Sequence, residues 1–394
     1  MKILSDRSIA IIGFGEVPNV KSSMANALDL AAYAAREALD SCGLDLADID
    51  GVTTHTPLSE AGDPFWSNLL VETLGLSCHW LQSSDLGGTI AISNLSRAAA
   101  AIHAGQCETV LCLCADAPST QYLGRQGGHR ESLADPMGWA GPITGFGLLA
   151  SAYAARFGWP AEALAKIAVT SRANAMANPN VCSAFRKPLS TEDYFASRMI
   201  SDPLRLLDCV MRCDGANAVI VTTTDRARAL GLKRWVHPIA YREITNPDPQ
   251  QRSTDLLESG FSQIGPKVFN DAGLAPSDID VLQLYDDFTF AVLLQLEELG
   301  FCPRGQGARF IERRDLSAGG NLPLNTGGGQ LSAGQCGLAG GGIGLVEAVR
   351  QLMDQAHGRQ VAGASTALVS GLGVLPYAGN WGTSAALILE TAHA

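Results

Sequence analysis

The sequence predicts an α/β fold made of two similar halves, and three observations carry that expectation. Apolar strand-like runs alternate with Ala-rich helical runs along most of the chain, the pattern of a sheet covered by helices. One junction occurs twice: CGLDLADIDGV, Cys42 to Val52, returns as AGLAPSDIDVL, Ala272 to Leu282. Gly43, Leu44, Asp48, Ile49 and Asp50 are matched at a constant interval by Gly273, Leu274, Asp278, Ile279 and Asp280, with a helix before and a strand after each copy. Finally, 394 residues are too many for one simple core and divide into two domains. We read these as 1–230 and 231–394, with a looser insertion at about 118–205 in the first.

The elements follow in order. SIAIIGFG, Ser8 to Gly15, is an apolar strand, and Leu28 to Ser41 is a helix with Gly43 as its stop. A second strand runs through TTHTP, where His55 stands at the strand end, either structural or lining a pocket. WLQSSDLGGTIA reads as a strand end, a sharp turn at Gly87-Gly88 and the start of a long helix. In TVLCLCADAP the alternation of Cys112 and Cys114 puts both on one face of a buried strand. Leu123 to Gly145 is loop-like and holds His129 among charges; residues 145–156 and 160–177 are helical. Phe185 to Cys209 carries Arg186, Lys187, Arg198 and Arg205, the densest basic stretch of the chain. It is either a solvated face or a set of phosphate contacts for a nucleotide-bearing ligand. DGANAVIVTT and TALVSGLG are strands, and Ile343 to Gln355 has the apolar spacing of a helix.

Composition narrows the function. Hydrophobic residues make up 46% and charged residues 17% of the chain, which fits a compact enzyme with much buried surface and not a disordered protein. A net charge of −11 argues against nucleic acid or an anionic membrane as the main partner. No apolar run reaches membrane-spanning length, and MKILSDRSIAIIG has no signal-peptide pattern; a cytoplasmic protein is expected. Ten cysteines without a CxxC pair point to free thiols and not to a metal site or disulfides; no bound cofactor is expected.

The stretch Gly319 to Ala339, GGNLPLNTGGGQLSAGQCGLA, has seven glycines and hardly a charge. Glycine at that density is tolerated where backbone approaches something closely. It feeds a helix, whose N-terminus offers free N–H groups and a positive dipole end to a developing negative charge. If the two halves are equivalent, this loop from Gly327 and the turn at Gly87-Gly88 face each other across one pocket. Asp286 and Asp287 are a candidate acid/base pair, one of them a structural hydrogen-bonding carboxylate.

SDLGGTIA, DPLRLLDC, YDDFT, NTGGGQLSAGQ and the closing VSGLG, with the duplication, resemble the thiolase superfamily along essentially the whole chain. They are most similar to its sterol-carrier-protein-type thiolases and thiolase-like lipid-transfer proteins. The resemblance implies a duplicated five-layer αβαβα fold with a loop domain over the active site, a homodimer with its interface near SDLGGT, and an acyl-CoA thioester as substrate. The family's C-x-S-G-x-x-A motif keeps Gly88 and Ala91, but its nucleophilic Cys falls on Asp85, beside Ser84. Its H-D-C-F or N-E-A-F motif reads Tyr285-Asp286-Asp287-Phe288, its G-H-P motif reads Gly334-Gln335-Cys336, and its last Cys falls near Ser370. Thiolysis needs a thiolate to carry the acyl group, and that thiolate is absent.

What survives is a means to hold an enolate or oxyanion: backbone N–H groups at Asp85, at the turn of Gly88, and near Gly371 and Gly373, with Tyr285 to hydrogen-bond a carbonyl or move a proton. Asn325 and Ser370 complete the expected pocket, with Asp286 and Gln335 among the catalytic candidates. A Cys-less relative with Tyr-Asp-x-Phe-Thr and NTGGGQLS resembles the steroid side-chain aldolases, which cut a β-hydroxyacyl-CoA by retro-aldol reaction and work with a small zinc-ribbon/OB-fold partner. Those enzymes place a second Tyr after QLS, where this chain has Gln335 and Cys336. Two other readings stay open: a Claisen-type acyltransferase with Cys336 or Ser84 as nucleophile, and a non-catalytic acyl-CoA-binding subunit whose pocket is filled by bulky residues.

Overall fold

The computed structural model describes residues 2–121, 135–249, 255–373 and 382–394. His129 and most of the loop read from Leu123 lie outside the described residues. The first half contributes β1 (Ile9–Val20), α1 (Ala27–Cys42), β2 (Gly51–Thr54), β3 (Trp80–Ser83), α2 (Ile90–His103) and β4 (Val110–Asp116). Then come α3 (Pro142–Phe157), α4 (Ala161–Met176), the short hairpin β5 (Met199–Ser201) and β6 (Leu204–Arg205), and β7 (Asp214–Thr223). The second half contributes β8 (Arg234–Thr245), α5 (Gly260–Ala272), β9 (Val281–Gln283), α6 (Thr289–Glu298), α7 (Gly329–Ala333), α8 (Gly341–Leu352), β10 (Thr366–Leu372) and β11 (Thr383–His393). Among the described residues no helix is long and apolar enough to cross a membrane.

Among the described residues nine strands pair in the order β3-β2-β4-β7-β1-β8-β11-β10-β9. The wings β3-β2-β4-β7-β1 and β8-β11-β10-β9 meet through one residue pair, Ile11 opposite Val236. Helix α1 covers the outer face of the first wing and α5 that of the second, while α2 and α8 pack on each other between the wings. This is the expected five-layer αβαβα order. Strand β4 shows why its sequence had to be apolar throughout. Leu111 and Leu113 join the core under α1, while Cys112 and Cys114 face the central helices, so the two thiols do share a face. All ten cysteines are unpaired.

The duplication holds down to single hydrogen bonds. Helices α1 and α5 both end on a left-handed glycine, Gly43 at φ 71° and Gly273 at φ 69°. Asp48 then accepts the Asp45 N–H at 3.0 Å, as Asp278 accepts the Ala275 N–H at 2.8 Å. Asp50 accepts the N–H of Thr109 at 2.8 Å, just before β4, and Asp280 accepts that of Thr366 at 3.0 Å, opening β10. The recurring Asp-Ile-Asp is thus a pair of carboxylate staples, one at each helix-to-strand junction.

The inserted helices α3 and α4 bury Phe146, Leu149, Leu164 and Ile167 in the same cluster as Phe290 and Leu293 of α6. The Tyr153 hydroxyl donates to Glu297 of α6 at 2.7 Å. The insertion is therefore seated on the helix that follows Tyr285-Asp286-Asp287.

Candidate functional site

Tyr285 sits just past the end of β9 and is held by a closed ring of hydrogen bonds. Its N–H donates to Ser370 Oγ at 2.9 Å, the Ser370 hydroxyl donates to Gln295 Oε1 at 2.6 Å, and Gln295 Nε2 donates back to the Tyr285 carbonyl at 2.7 Å. Each polar atom in the ring is buried and satisfied, so the backbone there has little freedom. Ser370 lines the cavity beside Tyr285, as expected, and also anchors the tyrosine. The phenol ring lies against Gly88, where a Cβ would overlap both the ring and the Leu372 carbonyl. A Cβ at Gly341 would strike the Gly88 carbonyl. The turns that open α2 and α8 therefore touch, with Tyr285 beside their junction. The partner of the Gly88 turn is Gly340-Gly341; the loop from Gly327, expected in that place, serves another purpose.

That purpose is Asp286. Its carboxylate accepts the N–H of Gln330 at 2.7 Å and of Leu331 at 3.4 Å, capping α7. Gly329, at φ 57°, lets this carboxylate come close where a side chain would collide with it. Burial pushes the Asp286 carboxyl up to about 7 against the pull of those hydrogen bonds. Asp287 differs. It is partly exposed, yet its Oδ1 is buried with no hydrogen-bond partner among the described residues. Burial, then the neighbouring Asp286 charge, lifts it to about 7. Of the two carboxylates the structural one is Asp286, while Asp287 keeps one oxygen without a partner among the described residues.

The DPLRLLDC segment explains itself here. Asp208 accepts the Tyr194 hydroxyl at 2.6 Å and the Arg205 N–H at 2.7 Å, and also the Thr289 hydroxyl at the start of α6. The Val210 N–H donates to the Asp287 carbonyl at 3.1 Å. This segment, at the end of the insertion, thereby holds the Asp287 backbone and the start of α6.

Tyr285 is buried, and burial followed by the Asp287 charge raises its proton affinity far above the ordinary phenol value. Its hydroxyl is a neutral donor. The cavity beside it is small, about 10 Å³, roughly one water. One wall is Gly329, Gly340, Gly341 and Gly344, so no bulky side chain plugs it from that side. Asn325, at φ 46°, acts as a strand extension: it accepts the Leu284 N–H at 2.9 Å and donates to the Leu284 carbonyl at 3.0 Å. Gln335 is held by its backbone, its N–H to Met211 at 2.9 Å and its carbonyl from the Cys213 N–H at 2.8 Å. Cys336 is wholly buried, and burial, then Asp116, raises its thiol well above the usual range. A neutral buried thiol is a poor nucleophile.

On the other side, the Ser84 hydroxyl donates to Asn94 at 2.6 Å, while Asp85 is exposed. His55 is buried with neither ring nitrogen partnered among the described residues, and burial lowers its proton affinity. Beside it Asp116 accepts the N–H groups of Leu58 at 3.0 Å, Ser59 at 3.1 Å and Leu338 at 3.1 Å, tying the first half to the turn after Cys336. Gly371 packs on Thr89, but the Gly373 N–H donates to the Thr383 carbonyl at 2.6 Å and is not free for an oxyanion. Arg186, Lys187 and Arg198 are exposed on the insertion, and none lines the cavity at Tyr285. Arg186 folds back onto the Pro179 carbonyl at 2.5 Å. Gln295, Asp208 and Asp116 escaped the sequence reading: each is an ordinary polar residue whose partner lies far along the chain.

A five-layer duplicated fold with its glycine turns meeting at a buried tyrosine is the thiolase fold. Residues 245–391 match the family described as thiolase C-terminal domain-like. The chain is 33% identical over 363 residues to the steroid side-chain-cleaving aldolase of Thermomonospora curvata, covering 86% of this chain and 89% of that one. It is 32% identical over 386 residues to the 17-hydroxy-3-oxo-4-pregnene-20-carboxyl-CoA lyase of Mycobacterium tuberculosis, covering 93% and 96%. The solved structure of the Ltp2-ChsH2(DUF35) aldolase superposes with a TM-score of 0.85 at 30% identity, over 98% of both chains. The chain belongs to the thiolase superfamily, among its aldolases, and is an enzyme of the lyase type.

Proposed function

We propose that this chain cleaves the bond between the α and β carbons of a β-hydroxyacyl-CoA by retro-aldol reaction, without a covalent acyl-enzyme. The observation that supports this most is the contrast at the centre. Tyr285 is fixed as a neutral hydrogen-bond donor beside Gly88, while Cys336, the candidate nucleophile, is a buried neutral thiol. Retro-aldol cleavage needs a base for the β-hydroxyl and a donor for the enolate oxygen, and no nucleophile. Tyr285 is that donor in this reading, with the positive ends of α2 and α8 beside it. In the substrate named by the mycobacterial relative, the 17-hydroxyl is β to the thioester carbonyl on carbon 20, and we extend that substrate class, a steroid or similarly bulky lipid side chain, to this chain.

The proposal includes the CoA thioester as substrate with no bound cofactor, a division at about residue 230, a homodimer and a cytoplasmic location. It also includes a small zinc-ribbon/OB-fold partner, for which the DUF35 component of the aldolase structure speaks. The test is to incubate the purified chain, alone and with a DUF35-type partner, with 17-hydroxy-3-oxo-4-pregnene-20-carboxyl-CoA and with smaller tertiary β-hydroxyacyl-CoAs. The account expects a ketone and a shortened acyl-CoA by mass spectrometry. Intact substrate under every condition would remove it, and products formed only with added free CoA would favour the acyltransferase.

A further inference from the structure

The proposed cleavage leaves one role without an occupant. A proton must leave the β-hydroxyl as the carbon–carbon bond breaks, and a proton must reach the α carbon of the enolate. Five candidates near the reaction centre are committed or unsuited. Asp286 is bound by two backbone N–H groups of α7. The Ser370 hydroxyl donates to Gln295, and the Ser84 hydroxyl to Asn94. Cys336 is surrounded by protein and neutral. Gln335 has no group that takes a proton at neutral pH.

Asp287 stands apart from these. It is two residues from Tyr285, and its charge is the one that bears most on the Tyr285 hydroxyl. Its Oδ1 is a buried acceptor with no donor among the described residues. So is Oε1 of Gln330, whose side chain also reaches Tyr285. Two buried oxygens lacking donors among the described residues, in side chains that both act on one phenol, cost free energy in the empty site. They suit a ligand that brings an O–H, and a β-hydroxyacyl thioester brings one next to the carbonyl that Tyr285 would hold. The residue as a whole is only partly buried.

We propose that Asp287 is the acid/base residue of the cleavage: its carboxylate takes the β-hydroxyl proton as the carbon–carbon bond breaks and returns it to the α carbon of the enolate. This rests on the retro-aldol reading above. The step balances. The O–H electrons form the new carbonyl, the electrons of the broken bond pass to the thioester enolate, and the proton moves from oxygen to carbon by way of Asp287. Tyr285 donates its hydrogen bond to the enolate oxygen throughout and does not ionise, in keeping with its strongly raised proton affinity. A carboxyl near 7 is suited to taking up and releasing a proton at neutral pH. The titratable groups facing it are Tyr285, Asp286, Cys209 and, behind Cys209, Asp208, and no cation contributes to its shift.

The test is the pH profile of kcat/KM for 17-hydroxy-3-oxo-4-pregnene-20-carboxyl-CoA, with the DUF35-type partner present, for wild type, Asp287→Asn, Asp287→Glu and Asp286→Asn. Asp287→Asn should lose about 100-fold or more in kcat with KM nearly unchanged, and should lose the rising limb near pH 7. Asp287→Glu should recover part of the rate with a displaced limb, and Asp286→Asn should keep the limb. Asp287→Asn within about threefold of wild type, or slowed with the limb intact, overturns the assignment while leaving the retro-aldol reading standing. A wild type that cleaves nothing overturns both.

Discussion

At the scale of the residue, the chemistry depends on which groups burial leaves neutral. Tyr285 keeps its proton, so Tyr285→Phe removes a donor and not a base. We expect a loss of roughly 2–4 kcal/mol in the barrier, read as a fall in kcat/KM, whereas Cys336→Ala should change it little. Full activity in Tyr285→Phe would remove this tyrosine from the mechanism. The aspartate pair also gives a stability prediction with a definite sign. Burial raises the Asp287 carboxyl from 3.8 to about 7 in the folded protein. A raised acid binds its proton more tightly folded than unfolded, so its contribution is fully present below about pH 4 and is lost as the pH climbs through about 7. Denaturant midpoints measured from pH 4 to 8 should therefore fall less steeply in Asp287→Asn than in wild type. Identical slopes would mean that the carboxyl is not desolvated.

At the scale of the element, the site is a place where two helix-opening turns meet. Gly88→Ala would push a methyl group into the Tyr285 ring and the Leu372 carbonyl. We expect a destabilisation of about 1–3 kcal/mol together with loss of activity, measured by urea unfolding and by turnover; a stable and active variant would refute the close contact. Much of this element-level picture was legible in the sequence. The repeated Asp-Ile-Asp marked the two junctions, and the alternation of Cys112 and Cys114 marked a strand buried on both faces. The pairing of the glycine turns was misjudged, because glycine content marks every close approach alike. Gly329 makes room for a carboxylate and Gly341 for a backbone carbonyl, and only the fold separates the two. The ring of Tyr285, Ser370 and Gln295 was not legible at all, since it joins three segments through ordinary polar residues. Ser370→Ala should expose that gap. It leaves the Tyr285 N–H and Gln295 Oε1 buried without a partner, a cost of about 1–3 kcal/mol, and should lower kcat more than it raises KM.

At the scale of the whole molecule, the two wings, the central helices and the insertion converge on one small site, and the composition now makes sense as a demand for buried apolar surface on five layers. Among the described residues strand β3 pairs with β2 alone and ends the sheet, and an edge of this kind invites a second chain. The expected homodimer across it should appear as twice the chain mass in light scattering, and Leu81→Pro in β3 should yield monomers; a wild-type monomer at micromolar concentration would argue against it. The central claim, carbon–carbon cleavage without an acyl-enzyme, is tested most directly by intact-protein mass spectrometry during turnover of 17-hydroxy-3-oxo-4-pregnene-20-carboxyl-CoA with no free CoA added. The account predicts continuing release of ketone and shortened acyl-CoA while the protein mass stays unchanged. An acyl adduct on Cys336 or Ser84, or turnover that stops until free CoA is supplied, would contradict it.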